Sequence, residues 1–194
     1  MIAHVNGKMV EKNPAYAIIE CGGVGYYLNI SLHTYSRLGN DENCKLFTHL
    51  VVREDAHILY GFSETNERQL FRHLISVSGV GPNTALLVLS SLQPAETQRA
   101  IVEGDVRALQ SVKGIGAKSA QRIILDLKDK LPQDGLDLEN ISAPVNNTVR
   151  DEALSALVAL GFDKSTSGKL IKNIMVSGED MSVEEIIKTA LKKL

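Results

Sequence analysis

Two stretches of the chain, SVSGVGPNTALLVL at residues 76–89 and SVKGIGAKSAQRII at residues 111–124, follow one pattern. Each places an aliphatic residue between two glycines and then continues into an apolar run with helical spacing. The second stretch begins 35 residues after the first and keeps its register, Ser-Val-x-Gly-x-Gly-x-x-x-Ala. A single Gly-x-Gly is usually a simple helix connector, but an in-register repeat predicts one helix–turn–helix unit used twice for one purpose.

The chemistry of such a turn favours an anion. A glycine can adopt positive φ, so the chain reverses within a few residues. The helix that follows begins with unpartnered backbone N–H groups at the positive end of its dipole, and these bind a phosphate well. Two such turns can hold two backbone phosphates without reading bases. The candidate DNA-binding residues are Gly79, Gly81, Asn83, Gly114, Gly116, Lys118 and Arg122.

The two copies differ in charge. Lys118 and Arg122 lie one helical turn apart, so we expect both side chains to reach the same backbone. The corresponding positions of the first copy are Asn83 and Leu87. The first turn is therefore expected to rely on backbone amides and on the Asn83 amide.

The charges of the chain are unevenly distributed around a net charge of −2. Residues 63–131 carry 9 basic and 7 acidic side chains, residues 1–62 carry 5 and 6, and residues 132–194 carry 7 and 10. A weakly basic centre permits phosphate binding without demanding it. The sequence predicts neither a membrane span nor a signal peptide. Cys21 and Cys44 match no metal spacing and are expected to be reduced thiols of a cytosolic protein.

Residues 1–62 are rich in short β-forming segments separated by turn residues, with a short helical piece near Thr34–Leu38. Five strands with a helix after the third predict a small closed barrel of the OB type, an all-β domain. The five segments are Ile2–Val10, Tyr16–Cys21, Gly25–Ser31, Lys45–Val52 and Ala56–Tyr60.

The rest of the chain has helical periodicity, and the fold class is therefore multidomain. Residues 63–131 are predicted to form an all-α domain that contains the tandem helix–hairpin–helix repeat, with Asp105 capping one helix. Residues 132–148 contain Pro132 and Pro144 and lack periodicity, which predicts a flexible linker. Residues 149–194 are predicted to form a UBA-like module of three helices, suited to docking rather than to catalysis.

This order of elements resembles the RuvA family of bacterial Holliday-junction-binding proteins. Matching stretches are ECGGVGYYLNI at residues 20–30, FTHLVVREDAHILYGF at residues 47–62 and LVALGF at residues 157–162. The resemblance covers essentially the whole chain. It implies a homotetramer that holds a four-way junction open and recruits the hexameric ATPase RuvB for branch migration in recombination, DNA repair and the SOS response to DNA damage. It implies a non-catalytic subunit with no metal or cofactor.

The resemblance also assigns residues outside the two turns. Glu54 and Asp55, between the last two strands, match an acidic turn at the tetramer centre, where carboxylates repel crossover phosphates. Leu157, Leu160, Phe162 and Leu191 match apolar positions that contact RuvB, and Phe162, just past Gly161, is the best candidate for an exposed anchor. The alternative, which applies most to Leu157, is that these side chains form the core of the module itself. Where the family commonly has a lysine, this chain has Asn83 and Ala117, which predicts more modest DNA affinity.

The implied partners are four-way junction DNA, a RuvB-type ATPase and, as a further possibility, a RuvC-type resolvase. The sequence leaves open whether one tetramer or two facing tetramers cover a junction. The implied location is the bacterial cytoplasm, in association with the nucleoid.

Two other classes of protein remain alternatives. One is a junction nuclease with a helix–hairpin–helix grip, which would need a clustered acidic metal site. The other is a general duplex-binding scaffold whose barrel binds single strands on aromatic side chains, for which the candidates are Tyr16, Tyr26, Tyr27, Tyr35 and Phe47. An ATPase is disfavoured, because neither GIGAKSA nor Gly168-Lys169 has the spacing of a phosphate loop.

Overall fold

The computed structural model describes residues 2–39, 41–131, 145–177 and 181–193. These residues form two compact units, the first containing all the strands and the first six helices, the second containing the last three helices. Each unit has a hydrophobic core of its own.

The first unit begins with a closed five-stranded barrel. Its strand order is β1-β2-β3-β5-β4, with β3 and β5 parallel and the other pairs antiparallel. This order, with a helix after the third strand, confirms the predicted OB type. The elements are β1 (His4–Lys12), β2 (Tyr16–Cys21), β3 (Val24–Ile30), α1 (Leu32–Arg37), β4 (Asn43–Val52) and β5 (His57–Phe62).

The first strand runs further than its composition predicts. It was expected to end at Val10, but its pairing with β2 continues to Lys12 across a register shift between Met9 and Glu11. A bulge of this kind adds a residue to one strand and breaks the alternation of apolar and polar side chains. The alternation therefore could not mark the end of the strand.

Helices fill the remainder of the first unit: α2 (Thr65–Ile75), α3 (Pro82–Ser91), α4 (Pro94–Glu103), α5 (Val106–Gln110) and α6 (Ala117–Leu127). The predicted cap at Asp105 is confirmed, since its side chain accepts a hydrogen bond from the Ala108 backbone N–H. Gly104 ends α4 at a φ of 76°. Short helices with defined caps place the two glycine turns before α3 and α6.

The last strand of the barrel packs into the core of the helices, whereas the interior of the barrel forms a hydrophobic cluster of its own. Tyr60 and Phe62, at the end of β5, pack on Phe71 of α2 with ring centroids 5.0 and 4.9 Å apart. All three belong to the hydrophobic cluster that also contains Val80 and Ile115, the aliphatic residues between the glycines of the two turns. The chain boundary proposed at residue 62 thus falls between two elements that pack together.

A buried carboxylate joins the helix within the barrel to α2. Glu67 is fully buried and accepts hydrogen bonds from the hydroxyls of Ser31 and Thr34, the latter at 2.6 Å. The Thr34 hydroxyl in turn accepts from the Ser63 backbone N–H at 3.0 Å. Burial raises the pKa of Glu67 above its ordinary value, and the hydroxyl hydrogen bonds oppose that rise.

The second unit consists of α7 (Val145–Ala159), α8 (Lys164–Ser177) and α9 (Val183–Leu191). Three helices were predicted, and Ser182 and Glu185 form a capping box at the start of α9. Helix α7 begins at Val145, inside the expected linker and four residues before the predicted module at 149–194. The prediction missed this start because the first turn of the helix lacks the apolar spacing that reveals a helix. Residues 132–144 of that linker lie outside the described residues.

Candidate nucleic-acid interface

The two glycine turns have the same backbone conformation. Gly79 and Gly114 have φ values of 89° and 90°, which only glycine adopts readily. Gly81 and Gly116 have φ, ψ of −82°, 168° and −83°, 170°. Sequence repetition at an offset of 35 residues therefore corresponds to structural repetition.

Each turn is held from inside by its aliphatic residue. Val80 and Ile115 are 6% and 5% exposed and lie in the core of the first unit. Their backbone N–H groups donate to the carbonyls of Val77 and Val112 at 3.0 and 3.1 Å. Because the side chains point inward, the glycines on either side are left on the surface.

The helices after the turns begin without a side-chain cap. The first intrahelical bonds run from Ala85 N–H to the Gly81 carbonyl at 2.9 Å and from Ala120 N–H to the Gly116 carbonyl at 3.0 Å. The N–H groups that precede these donors have no intrahelical acceptor. Helix α6 offers one more unpaired N–H group than α3, because α3 begins with Pro82, which has no N–H.

The surface over both turns is open. A Cβ placed on Gly81 or Gly116 would have no heavy atom of the described chain within 4 Å. The φ of these two residues suits any amino acid, so neither strain nor crowding within this chain requires glycine there. The missing side chains allow another molecule to approach the helix start closely.

The second turn carries the positive charge. Lys118 and Arg122 are both exposed on α6, as their spacing predicts. Arg122 also donates through Nη1 to the Ser78 carbonyl at 3.4 Å, which ties α6 to the first turn. The two turns are therefore neighbours on one surface, and the Arg122 guanidinium keeps further N–H groups for a ligand.

The first turn has an amide at the position of Lys118. Asn83 is exposed, and its side-chain oxygen accepts a hydrogen bond from the Tyr60 hydroxyl at 3.1 Å. Sequence reasoning missed Tyr60 as a residue of this site, because its position in β5 is that of an ordinary core side chain. The contact between β5 and α3 is long-range, and no local pattern could have revealed it.

The acidic turn lies at the tip of the β4–β5 hairpin. The Arg53 N–H donates to the Ala56 carbonyl at 2.8 Å and closes a loop in which Glu54 and Asp55 are both exposed. The two carboxylates are thus free to act on a neighbouring charge at the surface.

The apolar residues of the second unit divide into buried and exposed members. Leu160 and Leu191 are 61% and 44% exposed, whereas Leu157 is fully buried. Phe162, predicted to be an exposed anchor, is only partly buried: it packs against the core of this unit and keeps part of its side chain accessible. Val158, which sequence reasoning did not single out, is 42% exposed.

The position of Phe162 follows from how α7 ends. Gly161 has a φ of 96° and donates to the Val158 carbonyl, while the Phe162 N–H donates to the Leu157 carbonyl at 3.1 Å. This is the Schellman arrangement, in which the residue after the glycine folds back onto the last turn of the helix.

The features that the alternative classes require are weakly represented in the described part of the chain. Tyr16 and Tyr27 stack on the barrel surface, but the Tyr16 hydroxyl donates to Glu11, a carboxylate that repels a phosphate. No group of three or more His, Cys, Asp or Glu side chains among the described residues could hold a metal ion. None of the described helices is long and apolar enough to cross a membrane.

An OB-type barrel whose last strand packs into the core beneath two open, uncapped hairpin turns defines a helix–hairpin–helix protein that binds nucleic-acid backbone. Family models agree along the chain: the RuvA N-terminal domain matches residues 1–61, a SAM-like helix-hairpin-helix tandem matches residues 71–129, and the RuvA C-terminal domain matches residues 148–194. The chain belongs to the RuvA family.

Curated relatives match over the full length. A protein of Christiangramia forsetii is 54% identical and one of Flavobacterium psychrophilum is 52% identical, each over 194 residues and all of both chains. A protein of Cytophaga hutchinsonii is 45% identical over 197 residues and 99% of both chains. Each of the three is named Holliday junction branch migration complex subunit RuvA.

Proposed function

We propose that this protein is the non-catalytic, DNA-binding subunit of a branch-migration complex, which recognises Holliday junctions as a homotetramer. The observation that carries the proposal is the pair of open turns, each with glycines outward and an uncapped helix start. Such turns contact phosphates rather than bases, so the specificity comes from the shape and symmetry of the DNA.

The charged side chains divide the work between attraction and repulsion. Lys118 and Arg122 attract the backbone of an arm, and Arg122 also fixes one turn relative to the other through the Ser78 carbonyl. In a fourfold assembly, Glu54 and Asp55 of each subunit stand near the crossover and repel phosphates there. Strands are thereby kept apart at the centre while the arms are held.

The second unit serves as the docking module for the motor. Exposed Leu160 and Leu191 offer an apolar surface to a RuvB-type ATPase, which supplies ATP hydrolysis. Buried Leu157 supports this surface from within the unit, and partly buried Phe162 packs beside it against the same core. We further propose a RuvC-type resolvase as a third partner, two facing tetramers on a junction, and a place in the bacterial cytoplasm on the nucleoid.

The test is a competition experiment. A labelled four-way junction bound to the protein is challenged with excess linear duplex made from the same arm sequences, first with magnesium and then with EDTA. We expect the junction complex to survive and the DNA to remain uncut. Equal competition by the duplex would reduce the turns to a general phosphate contact, and cleavage in magnesium would favour the nuclease.

A further inference from the structure

Tyr60 connects the barrel to the first hairpin turn by a single polar contact. Tyr60 is 1% exposed and its ring packs on Phe71, and its hydroxyl donates to the Asn83 side-chain oxygen at 3.1 Å. Asn83 is exposed and is the second residue of α3. The buried Tyr60 side chain thus holds the exposed Asn83 side chain.

This contact decides which half of the Asn83 amide faces outward. A carboxamide has one oxygen that accepts hydrogen bonds and one nitrogen that donates two. With its oxygen bonded to Tyr60, the amide turns its nitrogen away from the Tyr60 ring. An amide without this bond could rotate and present the oxygen, which repels a phosphate.

The Tyr60 hydroxyl is protonated, and so able to donate, at any pH near neutrality. Burial raises the pKa of its hydroxyl above the ordinary value, and the positive charge of Arg53 opposes the rise. The hydroxyl therefore keeps its proton throughout the neutral pH range. Since the Asn83 amide is neutral as well, the contact does not switch with pH.

We propose that Tyr60 is a positioning residue of the first hairpin, which holds Asn83 with its N–H groups outward as donors to a backbone phosphate. This inference rests on the proposed function. It explains how a turn that has Asn83 where the second turn has Lys118 still offers side-chain donors. Helix α3 also has one unpaired backbone N–H fewer than α6, because it begins with Pro82. An oriented side-chain amide therefore matters more at the first turn.

The test is a double-mutant cycle on DNA affinity with Tyr60→Phe and Asn83→Ala. Tyr60→Phe removes one oxygen atom and keeps the ring that packs on Phe71. We expect it to weaken binding about two- to tenfold, since a net hydrogen bond is worth about 0.5–1.5 kcal/mol. In the Asn83→Ala background the same change should have no effect. Junction and linear duplex are both measured by fluorescence anisotropy, and the loss should appear with each.

Two controls separate positioning from general damage to the fold. The contact involves no net charge, so the slope of log K against log salt should stay unchanged in Tyr60→Phe. Asn83→Lys should steepen that slope, and Tyr60→Phe should then have no effect, because an ammonium group needs no orientation. Thermal melting of each variant shows whether the core has been disturbed.

The outcomes distinguish the two claims. Junction preference in the wild type combined with equal affinity of Tyr60→Phe overturns the positioning role and leaves the proposed function in place. A loss of the same size in the Asn83→Ala background also overturns it, because the effect would not pass through Asn83. Without junction preference, a loss on duplex that depends on Asn83 supports the positioning role and overturns the proposed function. A wild type that binds neither DNA overturns both.

Discussion

Single glycines in the two turns serve different purposes, although they look alike in the sequence. Gly79 and Gly114 are needed by the chain itself, because their φ near +90° strains any other residue. Gly81 and Gly116 have ordinary φ values and open space around them, so their missing side chains concern the bound molecule.

Alanine substitutions should therefore separate stability from binding. Gly79→Ala should lower the free energy of unfolding by about 1–2 kcal/mol because of its positive φ. Gly81→Ala should change that free energy by less than about 1 kcal/mol, yet weaken DNA binding because a methyl group enters the space over the helix start. Thermal denaturation and anisotropy titrations of the same samples check both. Unchanged affinity in Gly81→Ala would contradict the close approach of a phosphate at this turn.

The repeat allowed the turn residues to be predicted individually, whereas their partners could not be. Gly79, Lys118 and Arg122 belong to a local pattern with a physical meaning. Tyr60 and the Ser78 carbonyl enter the site only because β5, α3 and α6 pack together. Contacts between residues far apart in the chain leave no periodic trace in the sequence.

At the scale of elements, Glu67 makes the stability of the contact between α1 and α2 depend on pH. Its folded pKa is raised, so the folded state holds the proton more tightly than the unfolded state. Proton binding by Glu67 stabilises the folded state fully below the pKa of the unfolded state, near 4.5. This stabilisation is lost as pH rises through the pKa of the folded state.

Glu67→Gln should remove this dependence. The wild type should lose stability relative to the variant as pH rises. The free energy of unfolding of the variant, minus that of the wild type, should therefore increase from about pH 4 towards pH 8. Urea denaturation at several pH values measures this difference, and contributions from other carboxylates cancel in it. A difference that is constant with pH would show that Glu67 titrates alike in both states.

The helices of the second unit provide a matched pair of leucines. Leu157→Ala should destabilise this unit by about 2–5 kcal/mol, because its side chain is fully buried. Leu160→Ala should leave the stability nearly unchanged, because that side chain is 61% exposed, but should weaken binding to a RuvB-type ATPase. Denaturation of the full chain and pull-down with the ATPase give the two readouts. A folded Leu160→Ala chain that retains full ATPase binding would move the docking surface elsewhere.

Element types were predictable because the period changes from two to 3.6 near Ser63 and some helix starts, such as those after Asp105 and Ser182, have a side-chain cap. The ends of elements were less so. The bulge in β1 and the early start of α7 both lie where the periodic pattern is interrupted or absent. The partial burial of Phe162 depends on the backbone at Gly161, which turns the side chain towards the core of the second unit.

For the whole molecule, the acidic turn should control selectivity rather than affinity. Replacing Glu54 with Gln and Asp55 with Asn removes two exposed charges without changing side-chain size. We expect junction binding to be equal or tighter, since repulsion is lost, and the preference for junction over duplex to fall. Competition titrations at one salt concentration measure the ratio. An unchanged ratio in the double variant would show that the carboxylates do not act at the crossover.

The aromatic contact of Tyr60 and Phe62 with Phe71 has a mechanical consequence. A motor that draws DNA past the hairpins applies force to the turns. Because the turns and the last strand share one core, that force passes into the barrel wall, which is stiffened by hydrogen bonds around its full circumference. The turns that hold the DNA and the barrel that resists the pull are therefore mechanically coupled through this shared core.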